Sequence, residues 1–210
     1  MNNHIKIILN MIIIMDIFKK YWCERGHFNE DQFVFMNNLV VEKKPKYCLE
    51  TGFCTGRSAL SVLYGNNWTE KFINIDINYD YFREGRVMLK KFQERWKIFK
   101  GIESSSRVIL TKDFLNYEYP NGIDWFTVDG DHTYEGCYND IEKVIPHMNQ
   151  GGIIIIDDYK SGPPNGCSLP AVTKACDDIY IKYEKILNRR SWNKNGKGFC
   201  IFTIDISKQQ

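Results

Sequence analysis

The chain has 210 residues, 43 % of them hydrophobic, enough to bury a sizeable core as one domain. Its net charge of +2 is too mild for a nucleic-acid footprint, and the basic clusters "FKK", "EKKPK" and "LKK" read as solvated faces. Seven cysteines, odd in number, scattered and without a C-x-x-C pair, argue against a disulfide framework or a zinc site and for buried thiols in a reducing, cytoplasmic setting.

Taken in chain order, the first segment is "IKIILNMIIIMDIF". Asn10 and Asp16 interrupt it, it is shorter than the roughly 20 residues of a membrane span, and it lacks an A-x-A-like cleavage site. It is read as a helical extension over residues 1–28, packed on the domain or on the partner subunit of a homodimer. The domain itself then covers 29–210, with no membrane association. Strand-like runs follow at 46–52, 72–77, 107–114, 124–130 and 151–159. The intervening "TGRSALSVLYG", residues 79–101 and "YEGCYNDIEKVIPHM" are helical in pattern, and "LPAVTKACDDIYIKY" follows the fifth strand. Two last strands, 183–189 and 198–206, are separated by too little chain for a crossover helix and should pair antiparallel at one edge. The expectation is an α/β fold: a Rossmann-like, doubly wound, seven-stranded sheet, mostly parallel, with an antiparallel C-terminal edge hairpin.

In such sheets ligands bind outside the carboxyl ends of the strands. The first strand runs into "LETGFCTGRSA", where Gly52 permits a sharp turn and Gly56 a close ligand approach at a helix start. The pattern is neither G-x-G-x-x-G nor a P-loop. Asp76 ends the second strand, 26 residues after Glu50, and suits ribose hydroxyls; the bland alternative is a solvated loop aspartate. Asp113 in "LTKDF" is placed to reach an adenine amino group, with a turn role as the alternative.

Together, "LETGFCTGRSA", "INIDIN", "TKDF", "FTVDGDHTYEG" and "GGIIIIDDY" resemble the class I methyltransferases that use S-adenosylmethionine, over about residues 30–206. Within that class the chain is similar to the metal-dependent O-methyltransferases of the catechol type and, by its D-x-x-H pattern, of the macrocin type acting on sugar hydroxyls. The resemblance implies that Gly52, Gly56 and Ser58 hold the methionine part of the cofactor, Asp76 the ribose and Asp113 the adenine. It implies that Glu50 places the amino group, and that Thr51, Phe114, Asp129 and Asp131 border the same cofactor.

Asp129, Asp157 and Asp158 close two strands expected to be neighbours, and three carboxylates on one rim repel one another unless a cation joins them. An all-oxygen set suits magnesium, with calcium or manganese as substitutes, and the resemblance implies metal ligands at these positions. Adjacent residues of a regular strand point to opposite faces, so Asp157 and Asp158 serve one ion only if the chain turns there. His132, three residues after Asp129, is read as the general base that takes the hydroxyl proton, against a plain role capping the following helix. Asp131 is placed to orient the histidine or the cofactor. The acceptor, a small molecule read as a sugar or nucleotide sugar, would meet residues 20–36, including Tyr21, Trp22 and Phe28, and the loop "YKSGPPNGCSLP". Trp192 and Arg189 are ambiguous between acceptor contact and packing. A catechol-like acceptor and a non-catalytic S-adenosylmethionine-binding module are the alternatives.

Overall fold

Asn29 and Gln32 start the first helix by bonding to each other's backbone. Each side chain accepts the other residue's N–H at 3.0 Å, forming a capping box that opens α1 (Glu30–Lys43). Glu30 and Asp31 in its first turn and Lys43 in its last complement the helix dipole. The computed structural model describes residues 28–64, 66–77, 89, 96–98, 109–160 and 169–209. The expected N-terminal extension, most of the predicted helix at 79–101 and most of the loop at 159–170 lie outside the described residues.

After α1 come β1 (Tyr47–Thr51), α2 (Arg57–Leu63), β2 (Lys71–Ile75), β3 (Trp96–Ile98), α3 (Lys112–Glu118) and β4 (Ile123–Val128). Then follow α4 (Tyr134–Val144), β5 (Met148–Ile156), α5 (Pro170–Lys182), β6 (Leu187–Lys194) and β7 (Lys197–Ile204). The seven strands form one sheet in the order β3-β2-β1-β4-β5-β7-β6. The first five are parallel, and β7 runs antiparallel to both β5 and β6. The expected doubly wound sheet with an antiparallel edge hairpin is therefore present.

Strand alternation feeds two cores. Ile154 and Ile156 of β5 join Phe126, Leu49 and Phe202 beneath α3, α4 and α5, whereas Ile153 and Ile155 join Trp125, Cys48 and Phe72 beneath α1 and α2. A strand buried on both faces must be apolar at every position, which accounts for the unbroken isoleucine run. Trp125 is wholly buried, and its indole N–H is satisfied by the Thr127 hydroxyl at 2.9 Å. Among the described cysteines, Cys48, Cys137, Cys176 and Cys200 are buried free thiols, and Cys54 is half-buried. No described helix is long and apolar enough to cross a membrane.

Three expectations need correction. Residues 109–114 do not continue a strand: Ile109 is helical, and the Thr111 hydroxyl accepts the Phe114 N–H at 3.1 Å as the N-cap of α3. That local cap outcompetes the β preference of the preceding apolar residues. Strand β3 lies instead at Trp96–Ile98, at the end of the stretch read as helix, and three residues are too few to leave a period-2 signal. The sixth strand begins at Leu187 and runs to Lys194, because the hairpin turn is only Asn195-Gly196, with φ of 54° and 78°. Such a turn needs left-handed residues, and Asn-Gly is the favoured pair. Most of β6 is exposed, so its polar sequence hid its extent.

Gly52 combines a φ of 84° with a backbone so close to the Asp129 carbonyl that any Cβ would overlap it. Gly52→Ala is expected to destabilise the protein by at least about 1–3 kcal/mol from backbone conformation alone, with the overlap adding to it. Urea unfolding checks this, and an unchanged midpoint would contradict it.

Candidate active site

Register places the site. Thr51 of β1 pairs with Ile75 of β2 and Val128 of β4, and Val128 pairs with Ile156 of β5. Four parallel strands therefore stop abreast, and the residues that follow them, Gly52, Asp76, Asp129 and Asp157, occupy one rim. The strand order reverses beside β1, where β1 meets β4, so this rim is also the topological switch point.

On one side of the rim lies the glycine turn. Gly52 donates its N–H to Ile75 O at 2.7 Å, and Gly56, at a φ of 76°, precedes α2 without a side-chain cap. Asp76 Oδ2 accepts the Cys54 N–H at 2.6 Å, so this carboxylate also holds the turn in shape. Glu50 is fully buried beside the Asn74 amide, which donates to its Oε2. Burial pushes the Glu50 carboxyl well above the usual carboxylate range, while Ser58 and Asn74 oppose the shift. Thr51 is buried under the turn, and Ser58 lines the open cleft.

On the other side stand the aspartates. The cleft is lined by Phe28, Phe53, Cys54, Thr55, Arg57, Ser58, Asp129, His132, Asp157, Asp158 and Lys197. Strand β5 ends at Ile156, and Asp158 adopts a left-handed φ of 60°. The turn demanded by the sequence is present, and it lets both neighbouring aspartates line one cleft. His132 Nε2 lies 3.2 Å from Asp129 Oδ1 and 3.7 Å from Asp158 Oδ2. Asp129, His132 and Asp158 each offer a ligand atom within 4.8 Å of the others. Lys197, buried at the start of β7, brings its Nζ to 3.7 Å from Asp158 Oδ1, which has no hydrogen-bond partner.

These charges shift one another. The hydrogen bond that the His132 ring donates to Asp129 is the main cause that raises His132 to about 9, against burial, with Asp158 and Asp157 adding to the rise. Burial outweighs His132 at Asp129 and raises that carboxyl. At Asp157, burial together with Asp129 and Asp158 pushes the carboxyl well above its ordinary range.

Several expected residues stand elsewhere. Asp113 is exposed in the first turn of α3 and Phe114 is half-buried beside it, so neither closes a strand and neither lines the cleft. Asp131 accepts the Thr133 N–H at 2.9 Å, and Thr133 caps α4 by accepting from Gly136 N at 3.1 Å. The cap of α4 is therefore Thr133, and the His132 ring faces carboxylates instead. Tyr134 packs, stacking on Tyr138 and donating to Asp178 at 2.8 Å. Arg189 pairs with Asp177 at 2.6 Å over the Tyr180 ring, and Trp192 stacks on Phe35 and Phe199. Other residues of the site escaped the sequence reading: Phe53, Cys54, Thr55, Arg57 and Lys197 line the cleft, and Gln32 reaches it through Asp157. Gln32 donates to Asp157, and its signal was the N-x-x-Q spacing of a capping box. Arg57 donates from Nη1 to Phe28 O at 3.1 Å, and Lys197 follows the Asn-Gly turn.

A switch-point cleft with a glycine turn on one side and strand-end aspartates on the other defines a class I methyltransferase fold. Residues 49–159 match the family described as "Methyltransferase domain", and the chain belongs to that family. Its fold is similar to an O-methyltransferase from Bacillus cereus in complex with SAH (TM-score 0.70, 13 % identity, 93 % of this chain and 90 % of that one). It is also similar to TomG of Streptomyces achromogenes, an O-methyltransferase involved in tomaymycin synthesis and in complex with SAM (TM-score 0.70, 11 % identity, 93 % and 89 %). A third likeness is the SAH-bound methyltransferase PaMTH1 of Podospora anserina (TM-score 0.67, 16 % identity, 93 % and 88 %). Over 60 residues, 29 % of the chain, it is 42 % identical to an uncharacterized protein of Acanthamoeba polyphaga mimivirus, and it spans 27 % of that relative's length.

A folded His132 value near 9 against an ordinary 6.5 means that its stabilisation is complete below about pH 6.5 and is lost as pH rises through 9. The raised carboxyls of Asp129 and Asp157 act in the same direction, since the folded form binds protons more tightly than the unfolded one. In chelator, the melting temperature should fall between pH 6.5 and 9, and His132→Gln should flatten that fall. Thermal melts across this interval check it; equal slopes for both proteins would contradict it.

Proposed function

We propose that this methyltransferase moves the methyl group of S-adenosylmethionine to a hydroxyl of a small polyhydroxylated acceptor, a sugar or nucleotide sugar, at a magnesium-dependent site. The observation that carries the reading is the convergence of Asp129, His132, Asp157 and Asp158 in one cleft beside the glycine turn. The SAM and SAH complexes of the similar folds support the cofactor. Gly52, Gly56 and Ser58 would border its methionine part and Asp76 its ribose, with Glu50 and Thr51 buried behind the turn.

The donor set fits a divalent cation. Three carboxylates line the cleft, and the buried Asp158 Oδ1 lacks a hydrogen bond. Asp129, Asp157 and Asp158 would hold the ion, which when bound lowers the pKa of a hydroxyl and orients it. His132 then takes the hydroxyl proton as the oxygen bonds to the methyl carbon and the carbon–sulfur bond breaks, leaving a neutral thioether. The imidazole must be neutral to do this. Its raised pKa makes the base form scarce near neutrality while the neighbouring carboxylates are uncompensated, so compensation of their charge and catalysis are linked. Polar groups of Thr55 and Arg57 beside the rings of Phe28 and Phe53 support a hydroxylated acceptor over a purely aromatic one. The 4.8 Å grouping of Asp129, His132 and Asp158 favours a second reading, in which His132 is itself a ligand.

Activity on a true acceptor should vanish in chelator and return with magnesium. His132→Ala should lower single turnover at saturating cofactor and magnesium by about two to four powers of ten while leaving magnesium affinity nearly intact. Lost affinity would instead make His132 a ligand, and near-normal transfer would reject the base. Asp76→Ala should weaken S-adenosylmethionine binding by roughly 1.5–3 kcal/mol, read by calorimetry. Unchanged affinity would remove Asp76 from the cofactor site.

A further inference from the structure

We propose that Gln32 is the positioning residue of the carboxylate site, fixing Asp157 through one oxygen so that the other serves the cleft. The inference rests on the reading of Asp157 as part of a cation site.

The Gln32 side chain is fully buried and both ends of its amide are engaged. Oε1 accepts the Asn29 N–H at 3.0 Å, and Nε2 donates to Asp157 Oδ1 at 2.7 Å across 125 residues of sequence. The Asp158 backbone N–H donates to the same Oδ1 at 2.8 Å. Two donors fill the accepting capacity of that oxygen in its plane, and no hydrogen bond to Oδ2 is found among the described residues. Asp157 is thus anchored by Oδ1, while its side chain still lines the cleft.

Helix capping alone does not explain this residue. A capping box needs only the acceptor end, and a glutamate serves there as well as a glutamine. A glutamate in place of Gln32 would set a fourth carboxylate against Asp157, whose carboxyl already lies beside Asp129 and Asp158. An amide, unlike a carboxylate, accepts from Asn29 and donates to Asp157 at once. The start of α1 and the end of β5 therefore share one side chain, and its removal leaves a buried carboxylate oxygen with one donor fewer. Partners that orient metal-binding carboxylates are typically worth about 10–100-fold in metal affinity.

The test is calorimetric titration of magnesium into SAH-loaded protein, for the wild type, Gln32→Met, Gln32→Asn and Asn29→Ala. Gln32→Met should bind magnesium at least about 10-fold more weakly, with SAH affinity unchanged. Gln32→Asn keeps an amide too short to reach Asp157; it should weaken magnesium similarly and decides the matter if Gln32→Met does not fold. Asn29→Ala removes a cap without touching Asp157, so it should lower the melting temperature and leave magnesium affinity intact. Wild-type magnesium affinity in both Gln32 variants would overturn the proposal alone, as would an equal loss in Asn29→Ala. A wild type that binds SAH but no magnesium would overturn the cation reading and this proposal with it.

Discussion

The shared register of four parallel strands is the constraint on which the rest of this structure depends. Because Thr51, Ile75, Val128 and Ile156 end level, the chain leaves the sheet four times at one edge; Gly52 takes the first exit, and Asp76, Asp129 and Asp157 bring carboxylates to the other three. Burial on both faces of the sheet fixes that register, since a slip of one residue would draw Asp157 into the apolar sheet or carry Ile156 out of it. Carboxylates gathered this way destabilise one another. The fold limits the damage with His132 beside Asp129, Lys197 near Asp158 and two hydrogen-bond donors on Asp157.

The turn after β5 resolves a geometric conflict. Regular strand alternation would send Asp157 and Asp158 to opposite faces. A left-handed residue at position 158 breaks the alternation, and aspartate tolerates that conformation better than most residues do. Tyr159 then donates its N–H to Gly198 O at 3.1 Å, which returns the chain to the sheet beside β7. The left-handed residue thus falls where Asp157 and Asp158 line the cleft.

Much of this was legible in the sequence, and particular residues show why. The isoleucine run, the glycine turn and the aspartates at strand ends are local patterns whose spacing follows from the fold they specify. His132 was legible because it stands three residues from Asp129 on the same loop. Asp113 was misplaced because its neighbours carry β preference while a threonine cap decides the outcome. Lys197 and Arg57 stayed hidden, since nothing local distinguishes a lysine or arginine that ends in a cleft from one on a solvated face. Gln32 needed tertiary knowledge: its capping role is written within four residues, but its bond to Asp157 spans most of the domain.

Asp31 takes hydrogen bonds from Lys194 Nζ at 2.7 Å and Asn195 Nδ2 at 2.9 Å, joining residues more than 160 positions apart. Phe35, Trp192 and Phe199 stack along the same junction, and Phe28 meets Phe199 at a tilt. The wall of the cleft that carries Phe28 is thus assembled from two sequence-distant flanks of the domain, whereas the glycine turn packs on β2 and β4, which both precede the hairpin in the chain. During synthesis the glycine turn therefore has its contacts before the wall that carries Phe28, which must wait for the β6–β7 hairpin to emerge.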